Sequence, residues 1–438
     1  MAKTFLGGTH PPQHEETGHI AIERMEGPKV VVIPLQQHIG VICEPTVKVG
    51  DRVLMGQKIG DSSAFISAPV HSSVAGKVLS IENRPNVNGR NVLALVIEND
   101  FSDELDPSIM ASACLETLTP AEIIKIIREA GIVGMGGAGF PTHAKYVLPE
   151  GVAVDSILLN GAECEPYLTA DHRVMLEWGD EVVFGLRALM KVARVDRGYI
   201  GVENNKLDAI NTLIIAARQF PTISIIPLQV KYPQGAELQL IDSCLGRKVP
   251  PGKLPMHVGV IVNNVHTAQA VAKALHSGMP SIERLLTVAG GCVERPGNIL
   301  VRVGTTFKDI LEWRGLSGVP ERLISGGPMM GAAMYTSDVS VTKGTSGILA
   351  LTKDEALPRE EMVCVRCAKC VDVCPMLLHP LYIAQWSEKG VLDMAEKYGT
   401  LDCRECGTCE FACPSVRRLT HRIRLGKVDI WAAKKAKK

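Results

Sequence analysis

The chain of 438 residues has no surplus of charge: Lys+Arg and Asp+Glu each number 47. That balance argues against a nucleic-acid partner, whose phosphates call for a basic surface. Aromatic residues are scarce at 4%, against a hydrophobic fraction of 46%, so the cores are aliphatic. No apolar run approaches the roughly 20 residues that span a bilayer; Val30–Leu35 and Val258–Val262 are among the longest. Met1 to Glu16 contains no apolar stretch of the kind found in a secretory signal, and the two cysteine runs near the C-terminus need thiolates, which survive best in a reducing compartment such as the cytoplasm. Disulfides are not expected there. The scattered Cys43, Cys114, Cys164, Cys244 and Cys292 read as small core residues. The length suits about three domains.

Cysteine itself is plentiful. Eight of the thirteen fall in two copies of one pattern. The first is Cys364, Cys367, Cys370 and Cys374, then Pro375; the second is Cys403, Cys406, Cys409 and Cys413, then Pro414. This is the spacing of bacterial ferredoxins with two cubane clusters, in which the fourth cysteine of each run serves the other cluster. It assigns Cys364, Cys367, Cys370 and Cys413 to one [4Fe-4S] cluster. Cys403, Cys406, Cys409 and Cys374 go to the second. Structural zinc also accepts four thiolates, but the doubled pattern is far more specific than a bare CxxC. Two adjacent clusters carry single electrons.

From Val30 to Glu98 short β-branched runs alternate with Gly and Pro turns. GDRVLMGQ and SAPVHSSVAGKV resemble the two hairpin halves of a biotinyl/lipoyl-type sandwich. A carrier would need a modifiable lysine at the hairpin tip, which here reads SSAFISAPVH, so an architectural or docking role is expected. Beyond the polar stretch Asn99–Ser112, Thr119 as N-cap, Pro120 and Glu122 start a helix whose apolar face is Ile123, Ile126, Ile127 and Ala130. It ends at Gly131 and runs into GMGGAGFPTHAK. The formal GxGxxG there is not a Rossmann fingerprint, because a helix and not a strand precedes it. The loop offers unhindered backbone N–H groups at Gly134, Gly136, Gly137 and Gly139, with Lys145 beyond, suited to a phosphate or a flat ring.

Four further segments follow: NGAECEP (Asn160–Pro166), Asp171-His172-Arg173, YPQGAE (Tyr232–Glu237) and NNVHT (Asn263–Thr267). With the glycine loop, these resemble the flavin- and NADH-binding subunit of respiratory complex I and its relatives in hydrogenases and formate dehydrogenases. The resemblance implies non-covalent FMN, with NAD(H) as substrate. It places Lys145, Asn160, Glu163, Asn263 and Asn264 at flavin-contacting positions. Glu165 matches the acid that meets the nicotinamide amide, and Phe140 an aromatic near the adenine. Tyr232, Gly235 and Glu237 match a further nucleotide-binding segment. Met135 and Ala236 depart from the pattern, replacing an arginine and a glutamate. TVAGGCVERPGNILVRVGTTFKDIL then resembles the ubiquitin-like SLBB module.

This order of modules resembles the RnfC (RsxC) family, whose members belong to the Rnf complexes, membrane ion pumps linking ferredoxin to NAD. The fold class expected is multidomain α/β and α+β. It comprises a lipoyl-like sandwich (1–112), an FMN/NADH domain (113–284), SLBB (285–355), a dicluster ferredoxin domain (356–425) and a basic tail (426–438). The resemblance implies an NADH-linked oxidoreductase subunit on the cytoplasmic side of the membrane. Its expected partners are a ferredoxin-accepting iron–sulfur subunit and integral membrane flavoprotein subunits. Soluble cobalamin-type reductases share the later modules and are the alternative; a non-catalytic electron-relay adaptor is a third reading. Asp171, His172 and Arg173 are expected to form a solvated or structural helix start, and His143 to face solvent or the flavin. Residues 374–403 should form a helical hairpin over the clusters, with Trp386 in its core. Residues 417–438 should form a solvated, frayed basic end.

Overall fold

A computed structural model describes residues 2–111, 114–356 and 360–436. The 112/113 boundary and the last two lysines of the tail lie outside the described residues. After β1 (Glu23–Arg24), the N-terminal module is a sandwich of short strands. These are β2 (Val30–Pro34), β3 (Glu44–Pro45), β4 (Arg52–Val53), β5 (Lys58–Asp61), β6 (Val70–His71), β7 (Gly76–Pro85) and β8 (Asn91–Asn99). One sheet runs β2-β8-β7-β4 and the other β3-β5-β6. Val31 and Ile33 of β2, Ile59, Val70, Val78, Leu95 and Ile97 fill the space between.

The flavin-type domain begins at α1 (Pro120–Glu129). Thr119 and Glu122 form a capping box at its start, as the sequence predicts. Its parallel sheet is built from β9 (Ser156–Gly161), β10 (Arg197–Glu203), β11 (Ile223–Leu228) and β12 (Val260–Asn264), in the order β11-β10-β9-β12. Alternate residues point to opposite faces of a strand, so a sheet covered on both sides reads as a continuous apolar run. Ile157 and Leu159 of β9 accordingly face one core with Ile200 and Val202, while Leu158 faces another with Ile226 and Val262. The first core is closed by α3 (Gly179–Ala193), α4 (Leu207–Ala217) and α6 (Val265–Ser277), with α2 (Ala170–Glu177) alongside; α5 (Glu237–Leu245) closes the second. Asn160, Glu203 and Asn264 thereby stand at the carboxyl ends of their strands, where open α/β sheets bind ligands.

The SLBB module pairs β13 (Glu283–Ala289) with β14 (Gly297–Arg302), packs α7 (Phe307–Arg314) on them, and adds β15 (Arg322–Ser325), β16 (Ala332–Met334) and β17 (Gly347–Leu351). β1 joins its edge through β14. After α8 (Lys353–Ala356), the C-terminal domain holds α9 (Lys369–Asp372), α10 (Pro380–Glu388), α11 (Leu392–Lys397), α12 (Thr408–Phe411) and α13 (Leu419–Ala436). The expected hairpin over the cysteines is present: Ile383 and Ala384 of α10 pack with Cys409, Leu419 and Ile423.

Two expectations fail here. The tail is not frayed, because α13 runs straight through the expected break at 425. Leu419, Ile423, Gly426 and Ile430 recur at helical spacing and are buried, and Lys434 pairs with Glu396 of α11. Trp386 is half-buried with the Lys389 ammonium over its ring, and it takes no part in the core around the cysteines. Among the described residues no helix is long and apolar enough to cross a membrane.

Candidate flavin and cluster site

The glycine loop is pinched at its base. Val133 bridges Pro141, and the Gly134 N–H donates to the Phe140 carbonyl at 2.9 Å. A Cβ at Gly137 would meet nothing within 4 Å, whereas one at Gly136 would lie 2.5 Å from the Asn264 amide nitrogen. The loop therefore presents an open backbone face at Gly137 and presses against Asn264 at Gly136. Gly139 has φ +69, a left-handed conformation that favours glycine. Met135, where the resemblance has an arginine, is buried. Its N–H donates to Thr267 Oγ1 at 3.0 Å and its carbonyl accepts from Arg284 at 3.0 Å. Phe140 is half-buried.

Lys145 lies on a short helical turn, half-buried as a residue but with its ammonium enclosed. That ammonium donates to the Val262 carbonyl at 2.8 Å. Burial pulls its pKa down, with Glu237 acting the other way. Asn263 donates to the Tyr146 hydroxyl at 2.7 Å, and its buried Oδ1 has no partner. Asn264 caps α6 through His266 N–H at 2.8 Å and donates to Asp171 Oδ2 at 2.5 Å. Asn160 donates to the Gly235 carbonyl at 2.8 Å. An enclosed cation held by a neutral carbonyl, an orphaned amide oxygen and an open backbone face fit an anionic flavin nucleotide, because such groups are costly to bury unpaired.

Glu163, a candidate flavin contact by the resemblance, is engaged within the chain. Its two carboxylate oxygens accept from the N–H groups of Asp171 and His172, at 2.7 and 2.8 Å, at the start of α2. Burial, then the neighbouring Asp171, raise its pKa. The expected helix start at 171–173 is real, but Asp171 is not solvated: it is enclosed between Glu163 and Asn264, with Arg284 nearby. His143 does not face solvent. It is buried, and its ring nitrogen sits 3.1 Å from the Phe65 carbonyl of the N-terminal sandwich.

Glu165 lies under a turn of the SLBB module. It accepts from the Met329 N–H at 3.0 Å and faces the Tyr232 hydroxyl at 3.4 Å. Burial pushes its pKa up to about 7. A Cβ at Gly327 in that turn would stand 2.2 Å from Glu165 Oε2. Buried Tyr232 donates to the Cys406 carbonyl at 2.8 Å, so the same side chain touches Glu165 and a cysteine turn. Cys164 accepts from Gly235 N–H at 3.2 Å and packs with Tyr232, Cys406 and Met329. Glu237 heads α5. Sequence reasoning missed Met329 and Arg284; only the glycine-flanked turn GGPMMG hinted at the first.

The two cysteine runs share a backbone. Arg366 and Glu405, Ala368 and Gly407, and Leu377 and Val416 all take left-handed φ at matching positions. Amides donate toward sulfur, from Arg366 to Cys364 and from Glu405 to Cys403 at 3.4 Å each. Burial, with Cys406 and Cys374 close by, raises the Cys403 thiol to about 11. The Cys409 thiol is raised by burial beside Cys403, Cys406 and Cys374. These four line one cavity together with Leu378 and Ile383. Cys413 and Cys364 are neighbours of Cys370. The structure thus brings Cys374 to the second run and Cys413 to the first. Among the described residues no three such side chains converge where a single ion would sit.

Comparison with known proteins gives four family models in this order. They are the RnfC barrel sandwich hybrid domain (residues 3–102), the Nuo51 FMN-binding domain (127–273), the SLBB domain (285–333) and the 4Fe-4S dicluster domain (357–416). The RnfC-type subunit of the Na(+)-translocating ferredoxin:NAD(+) oxidoreductase complex of Acetobacterium woodii is 45% identical over 99% of this chain and 98% of that protein. The counterpart from the proton-translocating complex of Clostridium ljungdahlii is 44% identical over 99% of this chain and 95% of its own length. The corresponding protein of the ion-translocating oxidoreductase complex of Rhodobacter capsulatus is 37% identical over 91% of this chain and 78% of that protein. In fold, the chain is similar to a chain of an NAD+-reducing [NiFe]-hydrogenase in the air-oxidized state. That likeness has TM-score 0.51 and 18% identity, and it covers 72% of this chain and 66% of the hydrogenase chain. With full-length relatives at this identity and an N-terminal sandwich of the matching type, the chain belongs to the RnfC family of the ion-translocating ferredoxin:NAD+ oxidoreductase (Rnf) complexes.

Proposed function

We propose that this chain is the subunit at which its complex exchanges electrons with NAD(H). Bound FMN supplies the conversion between hydride transfer and single-electron transfer. The chain's own residues bind and orient. Lys145 neutralises the flavin phosphate beside the open amide face at Gly137, and Asn263 and Asn264 hold the flavin from the end of β12. Asn160 anchors the Gly235 segment. Glu165 accepts the carboxamide N–H of the nicotinamide, and Tyr232 ties that carboxylate to the Cys406 turn. Cys364, Cys367, Cys370 and Cys413 ligate one cluster; Cys403, Cys406, Cys409 and Cys374 ligate the other.

The observation that carries this reading is the double contact of Tyr232, with Glu165 on one side and the Cys406 carbonyl on the other. That contact supports the reading, because it joins the acid proposed for the nicotinamide to a cysteine turn in one buried group. The partners proposed are a ferredoxin-accepting iron–sulfur subunit and integral membrane flavoprotein subunits. The chain sits with them on the cytoplasmic face of the membrane.

The test is an anaerobic NADH titration of the cluster-reconstituted protein with bound flavin quantified. Flavin bleaching accompanied by reduced-cubane EPR signals is expected. Intact FMN and clusters that NADH leaves oxidised, in the isolated chain and in the assembled complex alike, would sink the proposal.

A further inference from the structure

Residues 2–20 precede the sandwich and lie outside its two sheets. They form a strap across the other modules. The Lys3 N–H donates to the Pro227 carbonyl at 3.0 Å, and the Gln229 N–H donates to the Lys3 carbonyl at 2.9 Å, a short parallel bridge at the end of β11. Buried Phe5 follows. The Lys231 ammonium stands 4.6 Å from its ring centre and donates to its carbonyl at 2.9 Å. Further on, Thr9 and Tyr232 pair in both directions, N–H to carbonyl, at 2.8 Å each.

Between these anchors stand Gly7 and Gly8, at φ +82 and +85. Two consecutive left-handed residues call for glycine, and so does the space around them. A Cβ at Gly7 would lie 2.9 Å from the Cys374 carbonyl oxygen and 3.2 Å from the Pro375 nitrogen. One at Gly8 would lie 2.8 Å from the Tyr232 carbonyl oxygen. The Gly8 N–H donates to the Val373 carbonyl at 2.8 Å. The strap is thus one backbone thick between Tyr232 of the flavin-type domain and the turn that carries Cys374. The Cys406 turn hangs on the Tyr232 hydroxyl. Cys374 and Cys406 line one cavity with Cys403 and Cys409. The strap therefore joins this quartet to the flavin-type domain directly at Val373 and indirectly through Tyr232.

We infer that the N-terminal strap sets the gap between the flavin and the cluster of Cys374, Cys403, Cys406 and Cys409, with Gly7 and Gly8 as its spacer and Phe5 as its anchor. The inference rests on the reading above that electrons pass between FMN and the clusters. Electron tunnelling weakens exponentially with distance, so the thickness of the spacer sets a rate. A glycine pair is the thinnest spacer that a backbone supplies. Single hydrogen bonds between neutral groups contribute modestly, so the anchors at Lys3, Phe5 and Thr9 hold the strap together and not singly.

The experiment uses the full-length chain with FMN and both clusters, kept anaerobic. After rapid mixing with NADH, flavin bleaching is followed by absorbance and cluster reduction by freeze-quench EPR. Amide hydrogen exchange of segments 5–10 and 371–378 is read on the same protein. Gly7→Val should wedge the gap open. Phe5→Ala should loosen the strap without touching a cysteine turn, and Phe5→Leu should restore it. In the first two variants FMN content, the rate of flavin bleaching and the dithionite-reduced signals of both clusters are expected to match wild type. Exchange should quicken in both segments. Reduction of the cluster should slow about tenfold or more, as displacements of about 1 Å between reacting groups can cost. Unchanged cluster reduction in both variants overturns the inference. So does an equal slowing of flavin bleaching, which would place the strap at the nucleotide site. Loss of a cluster signal under dithionite in both variants also overturns it, because the strap would then be a folding element of the dicluster domain. Photoreduction of the bound FMN starts the same transfer without NADH. A chain inert to NADH that still shows the difference between wild type and variants after light loses the NAD(H) reading and keeps this inference. A chain that binds no FMN, alone or in its complex, loses both.

Discussion

Glu165 combines the features that a pH profile can read. Burial pushes its carboxyl up to about 7, well above the usual carboxylate range. The ionised form is the better acceptor for a carboxamide N–H, because charge-assisted hydrogen bonds are the stronger ones. As pH rises through 7, the free protein gains the carboxylate. kcat/KM for NADH is therefore expected to climb between about pH 6 and 8 and then level, with the inflection absent in Glu165→Gln. A hydrogen bond to a charged group is worth about 1.5–3 kcal/mol, so the amide variant should lose on the order of tenfold to a hundredfold in kcat/KM above pH 8. A flat wild-type profile would remove Glu165 from the nicotinamide site. At this scale Lys145, Asn160 and Glu165 were legible as candidates because each lies in a compact motif. Met329, Arg284 and Lys343 were not, because each acts on residues far away in the chain. Lys343 donates to the carbonyls of Pro69 and Gly131 at 2.6 and 2.7 Å, a junction of three modules that no local spacing announces.

Among the elements, α1 and α13 show the two ways a helix is written. In α1 the signals are local: Thr119 and Glu122 build a capping box with Pro120 at the first helical position, readable from four consecutive residues. Thr119→Ala is expected to cost about 1 kcal/mol, measured as a lowered melting midpoint. In α13 the deciding residue is Gly426, where helix propensity alone argues for a break. A Cβ there would lie 2.1 Å from Ser387 Oγ of α10, so the glycine permits a close crossing and does not end the helix. The tail was misjudged because a lysine-rich end hides an apolar stripe whose partner helix is needed to interpret it. Gly426→Val should push α13 off α10 and destabilise the dicluster domain by about 1–3 kcal/mol. The readout is earlier loss of visible cluster absorbance on heating, with flavin retention unchanged.

At the scale of the whole molecule, the modules were legible as a list but not as an arrangement. The cysteine spacing announces two clusters, yet not which of them faces the flavin domain. That follows from packing: Cys406 shares a buried group with Cys164, Tyr232 and Met329, and Gln239 of α5 donates to the Pro375 carbonyl, next to Cys374, at 3.2 Å. Both Cys406 and Cys374 belong to the quartet with Cys403 and Cys409. In the other quartet, Cys367 is exposed and Cys364 lies at an intermediate depth. Electrons from the flavin side should therefore reach the Cys406 cluster first and leave by the other. Two single variants separate the orders. Cys409→Ala, which removes a ligand of the inner cluster, should leave the remaining cluster unreduced by NADH on the timescale of turnover, although dithionite still reduces it. Cys370→Ala, on the outer cluster, should leave the inner cluster fully reducible by NADH while ferredoxin-linked turnover is abolished. Freeze-quench EPR of both variants decides the matter, and the reverse pattern would place the Cys364 cluster next to the flavin. The crossed cysteines make a further demand on the same samples. Cys374→Ala should lose the same EPR signal as Cys409→Ala, although Cys374 lies in the other run of the sequence.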